Sequence, residues 1–204
     1  MKQGIIFDLD GTLWDSSQAV VDAWNTILEG RYHFTVEQMQ AQMGKTMDAI
    51  AYSLFADEDK EEALRLMTMC TDYENIYIEK HGGNLYSGVR ETLEKLHKDY
   101  HLSIVSNCQE GYIEAFVNYY GLNDLIDDTE NFGRTGKGKA DNIRLVVERN
   151  NLEKAFYVGD IEGDYLSSTE AGVPFIFAAY GFGHVENTPA IEKFTDLVDV
   201  VEAL

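Results

Sequence analysis

Four short apolar runs constrain this chain most: "GIIFDLD" (4–10), "HLSIVSN" (101–107), "AFYVGD" (155–160) and "PFIFAAYG" (174–181). Apolarity that is continuous over so few residues, rather than alternating, fits strands covered on both faces, as in parallel sheets. Between the runs stand helical patterns at 87–100, 110–121 and 139–151, with a shorter one after Asp164. Strand and helix in alternation predict an α/β domain, a doubly wound parallel sheet of the Rossmann-like kind.

Residues 15–83 break the alternation. They read as successive amphipathic helices, such as "SSQAVVDAWNTILEG", where Val20, Val21, Trp24, Ile27 and Leu28 share a face. The expected organisation is an α/β core from residues 1–14 and 84–204, with a helical unit, 15–83, inserted after the first strand. Gly82 and Gly83 mark its return, as a hinge or as a plain helix stop. A chain of 204 residues is long enough to bury such a core without disulfides.

In parallel α/β sheets, ligands bind beyond the carboxyl ends of the strands. Asp8 and Asp10 sit at one such end, Asp160 and Asp164 ("VGDIEGD") at a second, Ser106 and Asn107 ("IVSN") at a third. Any one of these residues alone is an ordinary cap or turn former. Carboxylates gathered from separate strand ends repel one another and call for a cation. Oxygen ligands without a histidine or cysteine cluster favour Mg²⁺. A metal held by few protein groups, with positions left open and a lysine nearby, suits a phosphorylated substrate.

Charge narrows the partners. With 36 acidic against 16 basic residues and a net charge of −20, a nucleic-acid groove is excluded as an expectation. No apolar stretch approaches a membrane span, and the N-terminus builds no apolar signal region. Cys70 and Cys108 follow no ligand spacing and read as reduced thiols, which with the rest predicts a cytoplasmic protein acting on a small phosphorylated metabolite.

The ordered motifs "DLDGT" (8–12), "VSN" (105–107), a lysine near 137 and "GDIEGD" (159–164) resemble the haloacid dehalogenase superfamily over nearly the whole chain, in its helical-cap, phosphoglycolate-phosphatase-like branch. The resemblance implies that Asp8 is a nucleophile forming an aspartyl-phosphate and that Asp10 is the general acid and base. It also implies Mg²⁺ held by the Asp8 carboxylate, the Asp10 carbonyl and Asp160, with support from Asp164. Gly11 and Thr12 complete the first motif, and Ser106, Asn107 and a lysine would contact the phosphoryl group.

Two lysines compete for that place. The family often has K-P-x-P here, and aligning "KGKADNI" with it puts Lys137 on the motif, with Gly138 and Ala140 where prolines would stand; Lys139 is the alternative. The same stretch falls short of a nucleotide P-loop because Ala140 replaces the magnesium-binding hydroxyl. Lys45, in "MGKTM", is a candidate for reaching the substrate from the cap. Trp14, Trp24, Tyr73 and Tyr77 read as core or cap-interface packing. The presence of Asp10 favours a phosphate ester over dehalogenation, and Thr12 favours hydrolysis over a phosphomutase of the β-phosphoglucomutase kind. A non-catalytic phosphate-binding homologue is the remaining alternative.

Overall fold

The computed structural model describes residues 2–203. Its elements follow in chain order: β1 Gln3–Phe7, β2 Trp14–Asp15, α1 Ser17–Ile27, α2 Val36–Gln40, α3 Met47–Leu54, α4 Lys60–His81, β3 Asn84–Leu85, α5 Val89–Leu96 and β4 His101–Ser106. Then come α6 Tyr112–Tyr120, β5 Asp128–Asn131, α7 Phe132–Thr135, α8 Lys139–Arg149, β6 Lys154–Gly159, α9 Glu162–Ala171, β7 Phe175–Ala178, β8 Ala190–Ile191 and α10 Leu197–Ala203.

Six strands form one parallel sheet in the order β5-β4-β1-β6-β7-β8. In β1, Ile5 and Phe7 enter one hydrophobic core and Ile6 the other. Successive side chains of a strand face opposite ways, so an unbroken apolar run is what a sheet covered on both faces requires. The chain leaves β1 to build β4 and β5 on one side and returns to build β6, β7 and β8 on the other. The carboxyl end of β1 is therefore the point where the winding reverses and a crevice opens.

Two strands of that sheet have no apolar signature. β5 is Asp-Thr-Glu-Asn, an edge strand paired only with β4. Its acids are held by arginine: Arg149 reaches Asp128 Oδ2 at 2.7 Å and Glu130 Oε2 at 2.6 Å. β8 is only two residues long and pairs through Phe177 and Ala178.

The helices α1 to α4 lie between β2 and β3, which pair antiparallel through Trp14–Leu85 and Asp15–Asn84. Gly82 caps α4 with a φ of +66° and donates to Ile78 O at 2.8 Å, the geometry of a helix stop. Trp14 is fully buried at the stem, edge-on to Phe116 and Tyr120. Trp24 of α1 packs with Phe34 and Phe55 inside the helical layer. Among the described residues no helix is long and apolar enough to cross a membrane.

Candidate active site

Asp8 follows β1 directly, and its N–H donates to Val158 O at 2.8 Å, which ties it to the adjoining strand. The sequence suggests that Asp8 and Asp10 share one face of an extended strand. Instead the strand ends at Phe7, and residues 9–13 fold into a tight turn, with Leu13 N–H on Leu9 O and Gly11 N–H on Trp14 O. The two carboxylates take different protein partners, while Asp10 still acts on Asp8 through its charge. Asp8 turns into a buried polar cluster beneath the crevice, and Asp10 turns toward the helical layer.

In the lower cluster, Asp8, Asp160 and Asp164 are all buried, and one carboxylate oxygen from each lies within 4.8 Å of the others. Lys139 Nζ sits 2.8 Å from Asp8 Oδ1 and 2.5 Å from Asp164 Oδ1, with the ring centroid of Tyr157 at 5.9 Å. Lys139 is the first residue of α8 and is itself only 3% exposed. Here the structure corrects the expectation for Lys137. That residue lies in an exposed turn, where its N–H bonds Thr135 Oγ1 and its carbonyl accepts from Asn142 Nδ2. The proline-based template misplaced the lysine by two residues because this chain has neither proline.

Asp164 is likewise not a free strand-tip residue. It belongs to the first turn of α9, where its Oδ2 accepts from Asp160 N at 3.1 Å and Ile161 N at 3.3 Å, so it orders the loop as well as the cluster. Asp160 is fixed from above by Phe182 N–H at 2.8 Å and from the first motif by Thr12 Oγ1 at 3.4 Å. Gly11 has a φ of +83°, and a Cβ there would lie 2.1 Å from Asp160 Oδ2; glycine is what allows this close approach.

Three carboxylates with a single ammonium leave an unbalanced negative charge in a dry place. Burial, reinforced by Asp164, pushes Asp8 up to about 7 despite Lys139, and burial with Asp164 and Asp8 pushes Asp160 up to about 8. Hard oxygen donors in excess of their counter-charge are a set that fits Mg²⁺.

Asp10 Oδ1 accepts from Ser16 Oγ at 2.6 Å and from Tyr112 OH at 2.8 Å. Ser16 stands at the N-cap of α1 but spends its hydroxyl on Asp10 rather than on the helix. Burial raises the Asp10 pKa, and these two hydrogen bonds oppose the rise. Above Asp10 lies a cavity of about 50 Å³ between core and helical layer. Ser106 and Asn107, at the end of β4, line it together with Gln109, Tyr112, Trp24 and Glu74. Asn107 Nδ2 donates to Gly44 O at 2.9 Å, joining the two layers.

The structure does not bring Lys45 into this cavity. Lys45 is exposed, and its ammonium rests on Gln42 Oε1 at 3.0 Å, on the solvent side of a residue that does line it. Conversely, Glu74 carried a signal that the sequence reading passed over. The buried face of α4 runs Ala63, Leu66, Met67, Cys70, Thr71, Glu74, Ile78, an apolar stripe with one acid in it. Tyr112 and the Phe182 amide had no comparable signal, being one more tyrosine on a helix and a backbone group.

A buried aspartate paired with a lysine and an acidic cluster thus stand at the switch point of a parallel α/β sheet, beside the helices that lie between β2 and β3. The model of the haloacid dehalogenase-like hydrolases matches residues 5–178, and the chain belongs to that family. It is 27% identical over 220 residues to a phosphoglycolate phosphatase of Photobacterium profundum, covering 97% of this chain and 95% of that one. A phosphoglycolate phosphatase of Rhodobacter capsulatus is 26% identical over 208 residues, covering 96% and 94%. Among solved structures, a haloacid dehalogenase-like family protein of Streptococcus pneumoniae superposes with a TM-score of 0.83 at 21% identity, covering 98% of each chain.

Proposed function

We propose that the protein is a Mg²⁺-dependent phosphatase that hydrolyses a small phosphomonoester through an aspartyl-phosphate on Asp8. The observation that carries this reading is the division of labour between the two aspartates. Asp8 is buried 2.8 Å from Lys139, and Asp10 is held at the cavity by Ser16 and Tyr112. The phosphoglycolate phosphatases among its relatives support the same class of reaction.

In the first half-reaction, an Asp8 carboxylate oxygen attacks phosphorus, and the bond to the leaving oxygen breaks as Asp10 gives that oxygen its proton. In the second, Asp10, now a carboxylate, takes a proton from water. The resulting hydroxide attacks phosphorus, releasing phosphate and restoring Asp8. Lys139 offsets charge on Asp8 and would do so on the phosphoryl oxygens, and Ser106, at the cavity wall, would donate its hydroxyl to them. Asp8, Asp160 and Asp164 would hold Mg²⁺, joined by the Asp10 carbonyl, and a cation bound there would supply positive charge against the phosphoryl oxygens.

The division into a core of residues 1–14 and 84–204 and a cap of 15–83 belongs to the same proposal, supported by the β2–β3 stem. So does a cytoplasmic setting, supported by the buried free thiols of Cys70 and Cys108. The decisive assay is release of p-nitrophenol from p-nitrophenyl phosphate. Activity should require Mg²⁺ and vanish in Asp8→Asn; a fully active Asp8→Asn enzyme overturns the reading.

A further inference from the structure

The cavity above Asp10 is lined mostly by apolar side chains, Val20, Trp24, Met39, Met43 and Met47 among them. Its polar lining consists of Asp10, Gln42, Glu74, Ser106, Asn107, Gln109 and Tyr112, and it includes no arginine, lysine or histidine. Glu74 is the group that stands out. It is 4% exposed, the one acid on the buried face of α4, and 50 residues from the indole that bonds it. Trp24 Nε1 donates to its Oε2, and Gln109 Nε2 donates to its Oε1 at 2.9 Å.

These partners do not exhaust it. Each carboxylate oxygen has a second lone pair, so Glu74 retains acceptor capacity on a wall of the cavity. The amide hydrogens of Gln109 are engaged by Glu74 and by Asn75 Oδ1 at 3.0 Å, which leaves its own oxygen as the free end. Asn107 spends its amide on Gly44 O, and its Oδ1 is buried without a protein partner. Gln42 Oε1 faces Lys45. Asn107 Oδ1 and the remaining lone pairs of Glu74 are thus acceptors at the cavity that no protein donor fills. A buried acceptor is satisfied by a donor and repelled by another anion.

We propose that this cavity receives the leaving group of the phosphomonoester and that Glu74, positioned by Trp24 and Gln109, accepts a hydrogen bond from a hydroxyl or ammonium on it. Phosphates of polyols or amino alcohols are then hydrolysed in preference to phosphates of hydroxy acids. The inference rests on the phosphatase reading and goes beyond it, because it sets this chain apart from relatives named for phosphoglycolate, whose distal group is a carboxylate.

The test uses four phosphate esters of nearly equal size on the Mg²⁺-loaded enzyme: ethanolamine phosphate, glycol phosphate, propyl phosphate and phosphoglycolate. At pH 8 Glu74, pushed up by burial to about 7, is ionised. The donors should then exceed propyl phosphate in kcat/KM, and phosphoglycolate should be at least about tenfold below glycol phosphate. Glu74→Gln should shrink the ratio of glycol phosphate to phosphoglycolate at least about fivefold, toward that of propyl phosphate. Because the ratio is taken within one sample, a smaller folded fraction leaves it unchanged. If Glu74→Gln does not fold, the wild-type ranking alone decides. Phosphoglycolate turned over best by an active enzyme overturns this inference and leaves the phosphatase reading standing; an enzyme inactive also on p-nitrophenyl phosphate overturns both.

Discussion

Lys139 Nζ stands 2.8 Å from Asp8 Oδ1, although 131 residues separate the two in the chain. The contact exists because β1 ends and α8 begins at the same end of the sheet, and Tyr157 from β6 closes the space beneath the ammonium. Removing the lysine leaves Asp8 and Asp164 buried without their counter-ion. Lys139→Ala should cost activity by about 100-fold or more and destabilise the metal-free protein by about 3–5 kcal/mol. Lys137→Ala should stay within about twofold of wild type, as expected for an exposed side chain away from the site. Steady-state kinetics and thermal melting of the two variants side by side check this.

The raised carboxyls make stability depend on pH in a defined sense. Asp8 near 7, Asp160 near 8 and Glu74 near 7 all bind protons more tightly folded than unfolded. The metal-free fold should therefore lose stability as pH rises from about 4, where these carboxyls ionise in the unfolded chain, to about 8, where they ionise in the folded one. A bound divalent cation displaces those protons from Asp8 and Asp160. Mg²⁺ should then raise the melting temperature more at pH 8 than at pH 6. Melting curves in chelator and in excess Mg²⁺ at both pH values measure the difference; an equal shift at the two would contradict it.

Tyr112 OH donates to Asp10 Oδ1 and holds its pKa down against the effect of burial. Tyr112→Phe removes that restraint, so the Asp10 pKa should rise. Asp10 donates its proton in the first half-reaction, and activity fails at alkaline pH once the acid form is gone. The alkaline limb of kcat where this step limits the rate should move to higher pH in Tyr112→Phe. A limb at its wild-type position would show that the hydroxyl does not tune this acid.

Gly11 combines a φ of +83° with the carboxylate of Asp160 at the place a Cβ would occupy. Gly11→Ala forces either the turn or Asp160 to move. The stabilisation by Mg²⁺ should fall to roughly half its wild-type value or less, while the metal-free fold loses about 1–3 kcal/mol. Isothermal titration with Mg²⁺ and chemical denaturation separate the two effects.

The doubly wound sheet could be read from the sequence because burial on two faces writes itself as unbroken apolarity in β1, β4, β6 and β7. The acids at strand ends were visible because parallel strands all deliver their tips to one side. β5 was not visible: its Asp128 and Glu130 are neutralised by Arg149, a partner some twenty residues on that no local pattern announces. Lys139 was misread through spacing borrowed from a proline-bearing motif, whereas the start of α8 at that residue settles where the side chain points. Glu74 could have been found by asking why an acid interrupts a buried stripe.

The ribbon of β2 and β3 has a consequence for how such a chain can change. Asp15 and Asn84 are directly paired, so the chain leaves for the helices and comes back at neighbouring points, about 5 Å apart between Cα atoms. Everything from Ser16 to Gly83 enters and leaves through this one ribbon and packs on α6 through α4, and the sheet order depends on none of it. Material carried on such a joint can be exchanged, lengthened or redrawn as a unit while the reacting carboxylates stay where β1 and β6 put them. Novelty of diet can thus arise by transplantation rather than by reinventing the chemistry.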